Sequence, residues 1–214
     1  MKIVLRYIYL HGLASNPGSA KAVYLRDRFA ELGVSLFVPD LNQGDFSHLT
    51  LTRQIQQIQA ECLSTPTPIT LIGSSLGGLT AAWLGEYHTF IQRLVLLAPA
   101  FGFLWSWLST LGEEALHQWQ VEGYRPIYHY GEQKELPLSY KFVEDIRQYE
   151  QTHRLKRPIP TLILHGQHDE VIPINESLIY AKERSWVQLI PFNSDHSLSD
   201  VKAEIWQSIL AFCQ

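Results

Sequence analysis

Cysteine is nearly missing from this chain of 214 residues. Cys62 and Cys213 are the only two, too few and too far apart for a disulfide framework or a thiolate metal site, and a reducing, cytoplasmic setting is expected. Charge is also scarce. Lys, Arg, Asp and Glu make up 18% of the residues and the formal net charge is -4. That balance gives no attraction to nucleic acid or to an anionic membrane surface. Uncharged stretches of membrane-spanning length are absent too. The nearest, residues 94–110, is interrupted by Pro99 and Gly102. The apolar start, residues 1–12, is broken by Arg6 and runs into His11-Gly12 with no small-residue cleavage pattern, so it reads as a first strand rather than a leader. Repeats and low-complexity tracts are lacking. What remains is a hydrophobic content of 46%, enough for one substantial core.

Apolar runs and turn residues alternate along the chain. Strands are expected at residues 3–10, 34–38, 69–72, 91–97, 161–164 and 186–190, and helices at 20–32, about 50–63, 76–85, 175–181 and 201–212. Ser19 precedes the first helix as a candidate N-cap, and Gly33 follows it as a C-terminal stop. Strand–helix alternation with apolar strands predicts an α/β class: a three-layer α/β/α sandwich around a mostly parallel sheet. One domain of residues 1–214 is expected. Within it, residues 101–157 break the rhythm and are rich in Trp, Tyr and Phe. They read as a mainly helical cap insertion, with helices near 104–119 and 140–151 and an extended excursion or hairpin between them.

The organising motif is Gly73-Ser74-Ser75-Leu76-Gly77. This is G-x-S-x-G at a strand–turn–helix junction, where the central serine sits on a sharp turn and glycines leave room for the two backbones to pass. A serine alcohol becomes nucleophilic only with a base, and the base needs an acid to orient it. Both are expected on later loops at the same sheet edge, in the order Ser, Asp, His. Asp169 follows the strand 161–164 and His196 follows the strand 186–190. Glu170 and Asp195 are neighbouring alternatives for the acid. The oxyanion needs two donors. The N–H of Leu76, just after the serine, and that of Leu13, in the glycine turn His11-Gly12-Leu13, are the candidates. His11, Gly12, Gly73 and Gly77 are supporting residues, and His165 is expected to brace the acid loop.

His11, His165, His168 and His196 show no metal-ligand spacing, and residues 73–78 lack G-x-G-x-x-G, so no metal and no cofactor are expected. Phe101, Trp105, Trp107 and Tyr128 are the candidate lining of an apolar substrate pocket, and esters of an apolar or aryl acyl group are expected there beside short-chain ones.

The segments IYLHGLASNPGSAKA (8–22), PDL (39–41), IGSSLGGLTAAWL (72–84), LAPA (97–100), HGQHDEVIP (165–173) and NSDHSL (193–198) together resemble the α/β-hydrolase superfamily. Within it the chain is most similar to the YqiA-type small bacterial esterases, formerly a family of unknown function. The resemblance covers residues 3–100 and 158–212 and leaves the insertion outside. It implies an α/β-hydrolase fold with Ser75 as nucleophile, His196 as base, Asp169 as acid and Leu13 and Leu76 as oxyanion donors. The implied activity is hydrolysis of short-chain carboxylic esters, with a small-molecule ester as the partner. Thioester or lipid hydrolysis by the same residues, and a non-catalytic binding protein on the same scaffold, are the competing readings. Monomer and homodimer are both left open.

Overall fold

A computed structural model describes residues 6–62 and 67–213. The expected start of the first strand and the Leu63 end of the second helix lie outside the described residues. The chain runs β1 (Arg6–Leu10), α1 (Ala20–Glu31), β2 (Leu36–Phe37), α2 (Leu51–Cys62), β3 (Ile69–Ser74), α3 (Leu76–Tyr87) and β4 (Ile91–Leu97). The insertion follows with α4 (Phe103–Leu111), α5 (Glu113–Glu122), β5 (Tyr124–His129), β6 (Lys134–Ser139) and α6 (Lys141–Ile146). It then closes with β7 (Thr161–Gly166), α7 (Ile174–Lys182), β8 (Val187–Phe192) and α8 (Lys202–Cys213).

Six strands form one parallel sheet in the order β2-β1-β3-β4-β7-β8. Successive side chains leave a strand on opposite faces, and here both faces are covered. Ile8, Leu10, Leu71, Leu94, Leu96 and Ile163 join α2, α3 and much of the insertion in one core. Tyr9, Ile72, Val95, Leu97, Leu162 and Leu164 join α1 and α8 in the other. This is the three-layer sandwich that continuous apolar strands require. Helix α3 is buried from Leu76 to Gly85. Its one polar side chain there, Thr80, donates to the buried Gln54 of α2 at 2.9 Å.

Four strands differ from their expected lengths, among them β3, which runs on through Gly73 and Ser74 to the turn. β2 pairs over two residues only, because Val34 N–H is turned back onto Phe29 C=O and Pro39 closes the other end. β7 and β8 each run two residues further than their apolar cores, pairing His165 with Pro191 and Gly166 with Phe192. Parallel pairing carries polar residues along with their apolar neighbours, so the chemistry-bearing loops start directly at the sheet edge.

Residues 101–157 hold an antiparallel hairpin, β5–β6, between helical stretches, and the helix expected at 140–151 is shorter, ending at Ile146 and passing into a 3-10 turn at Arg147–Tyr149. The single helix expected at 104–119 is two, because Gly112 takes φ +79 between α4 and α5. Most of its rings are structural. Trp119 Nε1 donates to Leu138 C=O at 2.9 Å, and Trp83 of α3 donates to Tyr149 C=O at 3.0 Å. The segment's far end is tied down by the buried Arg184, which donates to Leu155, Thr152 and Tyr180 carbonyls.

One group strains this packing. Both carboxyl oxygens of Glu150 are out of solvent with no hydrogen-bond partner among the described residues. Burial, opposed by the nearby Leu104 N–H and helped by the Glu176 carboxylate, pushes its pKa up to about 7. An acid that ionises at a higher pH when folded than when unfolded costs stability as pH rises from about 4.5 to about 7. Glu150→Gln should therefore melt with the wild type at pH 4. At pH 8 it should melt about 5 °C higher, for roughly 2 kcal/mol of relief. Paired thermal melts at the two pH values check this.

Candidate functional site

β3 ends on Ser74, and Ser75 caps α3 with φ 53 and ψ -119, a conformation costly for a residue with a Cβ. Surrounding bonds enforce it. Ser75 N–H donates to Leu97 C=O at 2.9 Å, and Ser75 C=O accepts from Gly78, Leu79 and Ala100 N–H. The glycines make the turn possible. A Cβ on Gly73 would lie 2.3 Å from Gly77 O, and one on Gly77 would lie 2.2 Å from Leu10 O. Strand β1, strand β3 and helix α3 thus meet at backbone contact. The Ser75 side chain is half-buried and makes no hydrogen bond among the described residues.

The loops after β7 and β8 come together. His196 Nδ1 lies 2.8 Å from Asp169 Oδ2. The Asp169 side chain has no solvent exposure, whereas His196 keeps 21%. Asp169 Oδ1 accepts from Val171 and Ile172 N–H at 2.9 and 2.7 Å. Oδ2 also receives His165 Nε2 at 3.1 Å. Burial alone would raise this carboxyl's pKa. Hydrogen bonds from His165, His196 and Ile172 outweigh it and hold the group far below the usual carboxylate range. His165, fully buried, is oriented in turn by Ser177 Oγ on Nδ1 and Ile172 C=O on Nε2. With Asp169 Oδ2 accepting at Nδ1, the His196 proton sits there and Nε2 is left as the free lone pair.

Asp195 is occupied elsewhere. Its Oδ1 accepts Ser197 N–H, Ser197 Oγ–H and Leu198 N–H, which ties up its own loop. Glu170 is exposed and touches neither ring. The loop passes directly over β7. A Cβ on Gly166 would lie 2.4 Å from Asp195 O, so glycine is what lets residues 194–195 cross there. Gly166 was not singled out from the sequence, although a glycine just past a strand marks a close backbone approach.

Gly12 lies against the serine, its would-be Cβ 3.2 Å from Ser75 Cβ. His11 is 1% exposed. Its Nε2 accepts Leu41 N–H and its Nδ1–H donates to Gly12 C=O, both at 3.0 Å. A trans peptide points its C=O and N–H in opposite directions. Holding the Gly12 carbonyl therefore also fixes the direction of Leu13 N–H. Neither Leu13 N–H nor Leu76 N–H finds an acceptor among the described residues, and Leu76 N–H is an orphan donor at the start of α3.

The four aromatic candidates are not brought together. Phe101 is buried against Tyr180, with ring centroids 4.5 Å apart. Trp107 stacks on Phe103 and meets Trp119 edge-on inside the insertion. Trp105 is 76% exposed, and Tyr128 is half-exposed beside Tyr130. Ring size decides this: most of the aromatics are needed to fill the core between insertion and body. A cleft of about 390 Å³ does open beside the hairpin, but none of the four lines it, and its walls are mixed, with Asp40, Asn42, Asp45 and Glu132 beside Phe46, Leu136 and Pro137. Among the described residues no three His, Cys, Asp or Glu side chains are grouped as metal ligands would be, and Cys62 and Cys213 are both free. No helix there is long and apolar enough to cross a membrane.

A strained serine on an elbow and a His196–buried Asp169 pair lie at the same edge of one parallel sheet. The model of an uncharacterised protein family, UPF0227, matches residues 6–214. The chain belongs to that family. Comparison of this UPF0227 protein with curated proteins finds no match. Solved structures share its fold. The mouse α/β hydrolase domain-containing protein 10 superposes with a TM-score of 0.76 at 22% identity, covering 96% of this chain and 86% of that one. Est1E from Butyrivibrio proteoclasticus gives 0.73 at 22%, covering 99% and 89%. A monoacylglycerol lipase from Paleococcus ferrophilus gives 0.77 at 17%, covering 96% and 92%. The UPF0227 chain therefore has the α/β-hydrolase fold.

Proposed function

We propose that this UPF0227 protein is a serine hydrolase that cleaves short-chain carboxylic esters through an acyl-enzyme. The observation that carries the reading is the 2.8 Å contact between His196 Nδ1 and a buried, ionised Asp169, on loops at the same sheet edge as the strained Ser75. In this reading His196 Nε2 takes the Ser75 hydroxyl proton as Oγ attacks the ester carbonyl. The carbonyl oxygen becomes an oxyanion held by Leu13 and Leu76 N–H, the latter favoured by the positive end of α3. The tetrahedral intermediate collapses with the proton passing from His196 to the leaving alcohol. Water then enters, gives its proton to His196, and attacks the acyl-enzyme to release the acid and restore Ser75. Asp169 keeps the Nδ1 proton in place and offsets the imidazolium charge without itself becoming protonated. Ser75 and His196 are not hydrogen-bonded here, and this contact is one that tightens when substrate closes the site. Trp105 and Tyr128 are turned to solvent, so these two rings give no support to a long or aryl acyl group. Proteins of the same fold include the monoacylglycerol lipase and an esterase domain from Rhodothermus marinus, which supports ester chemistry.

A fluorophosphonate probe should label the protein stoichiometrically, and peptide mass mapping should place the adduct on Ser75. Turnover should fall from p-nitrophenyl butyrate to the longer esters. An unlabelled, folded protein contradicts the mechanism. A preference for thioesters or long chains would keep the mechanism and replace the substrate class.

A further inference from the structure

The sequence Ser15-Asn16-Pro17-Gly18 has no place in the mechanism above, yet it is held unusually firmly. Ala14 sits at φ 53, a positive value rare for a residue with a Cβ, and it is 3% exposed. It directly follows Leu13. The restraint comes from the far side of the molecule in sequence. Tyr130 N–H, at the tip of the β5–β6 hairpin, donates to Ala14 C=O at 2.9 Å. Asn16 Nδ2 donates to Gly131 C=O at 3.1 Å. Asn42 Nδ2 donates to Ser15 C=O at 2.8 Å. Asn16 also folds its own turn, its Oδ1 accepting Gly18 N–H at 2.9 Å. The fit at the tip is close: a Cβ on Gly131 would lie 2.5 Å from Asn16 Nδ2.

We infer that Asn16 is a positioning residue for the reaction, latching the insertion hairpin to the loop that carries the Leu13 N–H donor. This rests on the ester-hydrolase reading. The physical case is that an oxyanion donor is useful only when it is preorganised. Leu13 N–H is fixed from one side by His11 on Gly12 C=O. On the other side it is fixed only through Ala14, whose strained backbone relaxes unless its carbonyl is held. Tyr130 N–H holds that carbonyl directly, and the Asn16–Gly131 bond holds the hairpin tip that carries Tyr130. The insertion thus acts on the rate of the chemical step as well as packing against the body, and Asn16 does so without touching substrate.

The test uses Asn16→Asp, which keeps the Oδ1 acceptor for Gly18 N–H and replaces the donor to Gly131 by a carboxylate oxygen, and Gly131→Ala serves as the variant that adds no charge. Gly131→Ala pushes the Asn16 amide away from the other side. With p-nitrophenyl butyrate, kcat should fall about 10- to 100-fold in both variants while KM stays within twofold, the size expected for a donor displaced rather than deleted. The affinity of a boronic acid that forms a tetrahedral adduct on serine should fall by the same factor, while the melting temperature stays close to wild type. A purely structural role would move the melt and leave the match between kcat and boronate affinity unexplained. Folded variants with wild-type kcat overturn the latch while leaving the hydrolase reading standing. A wild type without Ser75-dependent turnover overturns that reading first, and the assignment of Asn16 with it.

Discussion

Ser75→Ala is expected to lower kcat on p-nitrophenyl butyrate by about 10^5- to 10^6-fold, the loss typical of deleting a catalytic serine. Folding should be untouched. The Ser75 hydroxyl has no hydrogen-bond partner among the described residues, so its removal leaves no buried group unsatisfied. The strain at φ 53 lies in the backbone and is the same for alanine. The bonds that enforce it, to Leu97, Gly78, Leu79 and Ala100, are all main-chain. The melting temperature should therefore stay within about 1 °C of wild type, and substrate affinity, measured as Ki of a slow ester analogue, should change little. What activity remains comes from the two donors and from binding. A folded variant that retains wild-type turnover would sink the nucleophile assignment.

Asp169→Asn should cost about 10^4-fold in kcat, with KM nearly unchanged. The direction follows from which atom each oxygen serves. Oδ1 accepts two main-chain N–H groups, from Val171 and Ile172. The amide oxygen of asparagine must take that place, because an NH2 there would face two donors. The NH2 then occupies the Oδ2 position, against His196 Nδ1 and His165 Nε2. His196 Nδ1 is forced to accept, its proton moves to Nε2, and the imidazole can no longer take a proton from Ser75. His165 Nε2–H, which also faces Ile172 C=O, is left beside a second donor, so this variant should lose stability as well. The lost stability has a pH signature. The folded carboxyl's pKa is held far below the usual value, so its ionised form stabilises the fold above about pH 4, and that contribution drains away as pH falls toward the folded value. Wild type and Asp169→Asn should differ in melting temperature near neutrality and converge in acid. Unchanged turnover with an unchanged tautomer, seen by nitrogen NMR of His196, would contradict the role.

Much of this was legible because the residues concerned act locally. Gly73 and Gly77 flank Ser75 because strand and helix backbones must touch there, and that requirement is written into five consecutive residues. The order of apolar runs predicted a parallel sheet because a strand covered on both faces has to be apolar on both. Asp169 could be placed on a loop after a strand and preferred to Asp195, which is expected to point away from the ring of its sequence neighbour His196, but the contacts that separate the two could not be seen. The choice was made by Ser197 and Leu198, which occupy Asp195, and by His165, which stands beside Asp169. The aromatic pocket failed for the opposite reason. A tryptophan reads the same whether it fills a core or lines a cleft, and only the packing of α4, α5 and α6 on the body separated Trp107 from Trp105. Gly112, which splits the expected helix, was visible in the sequence, but its positive φ was not.

The sequence by itself determined the strand–elbow–helix unit, the sheet's parallel character and the identity of three loops, since each depends on neighbours along the chain. Tertiary structure alone decided that Asp169 meets His196, that the insertion's rings fill a core, and that Asn16 reaches Gly131. Those contacts join residues far apart in the chain, and their geometry exists only once the β5–β6 hairpin and the sheet edge have been brought together in space.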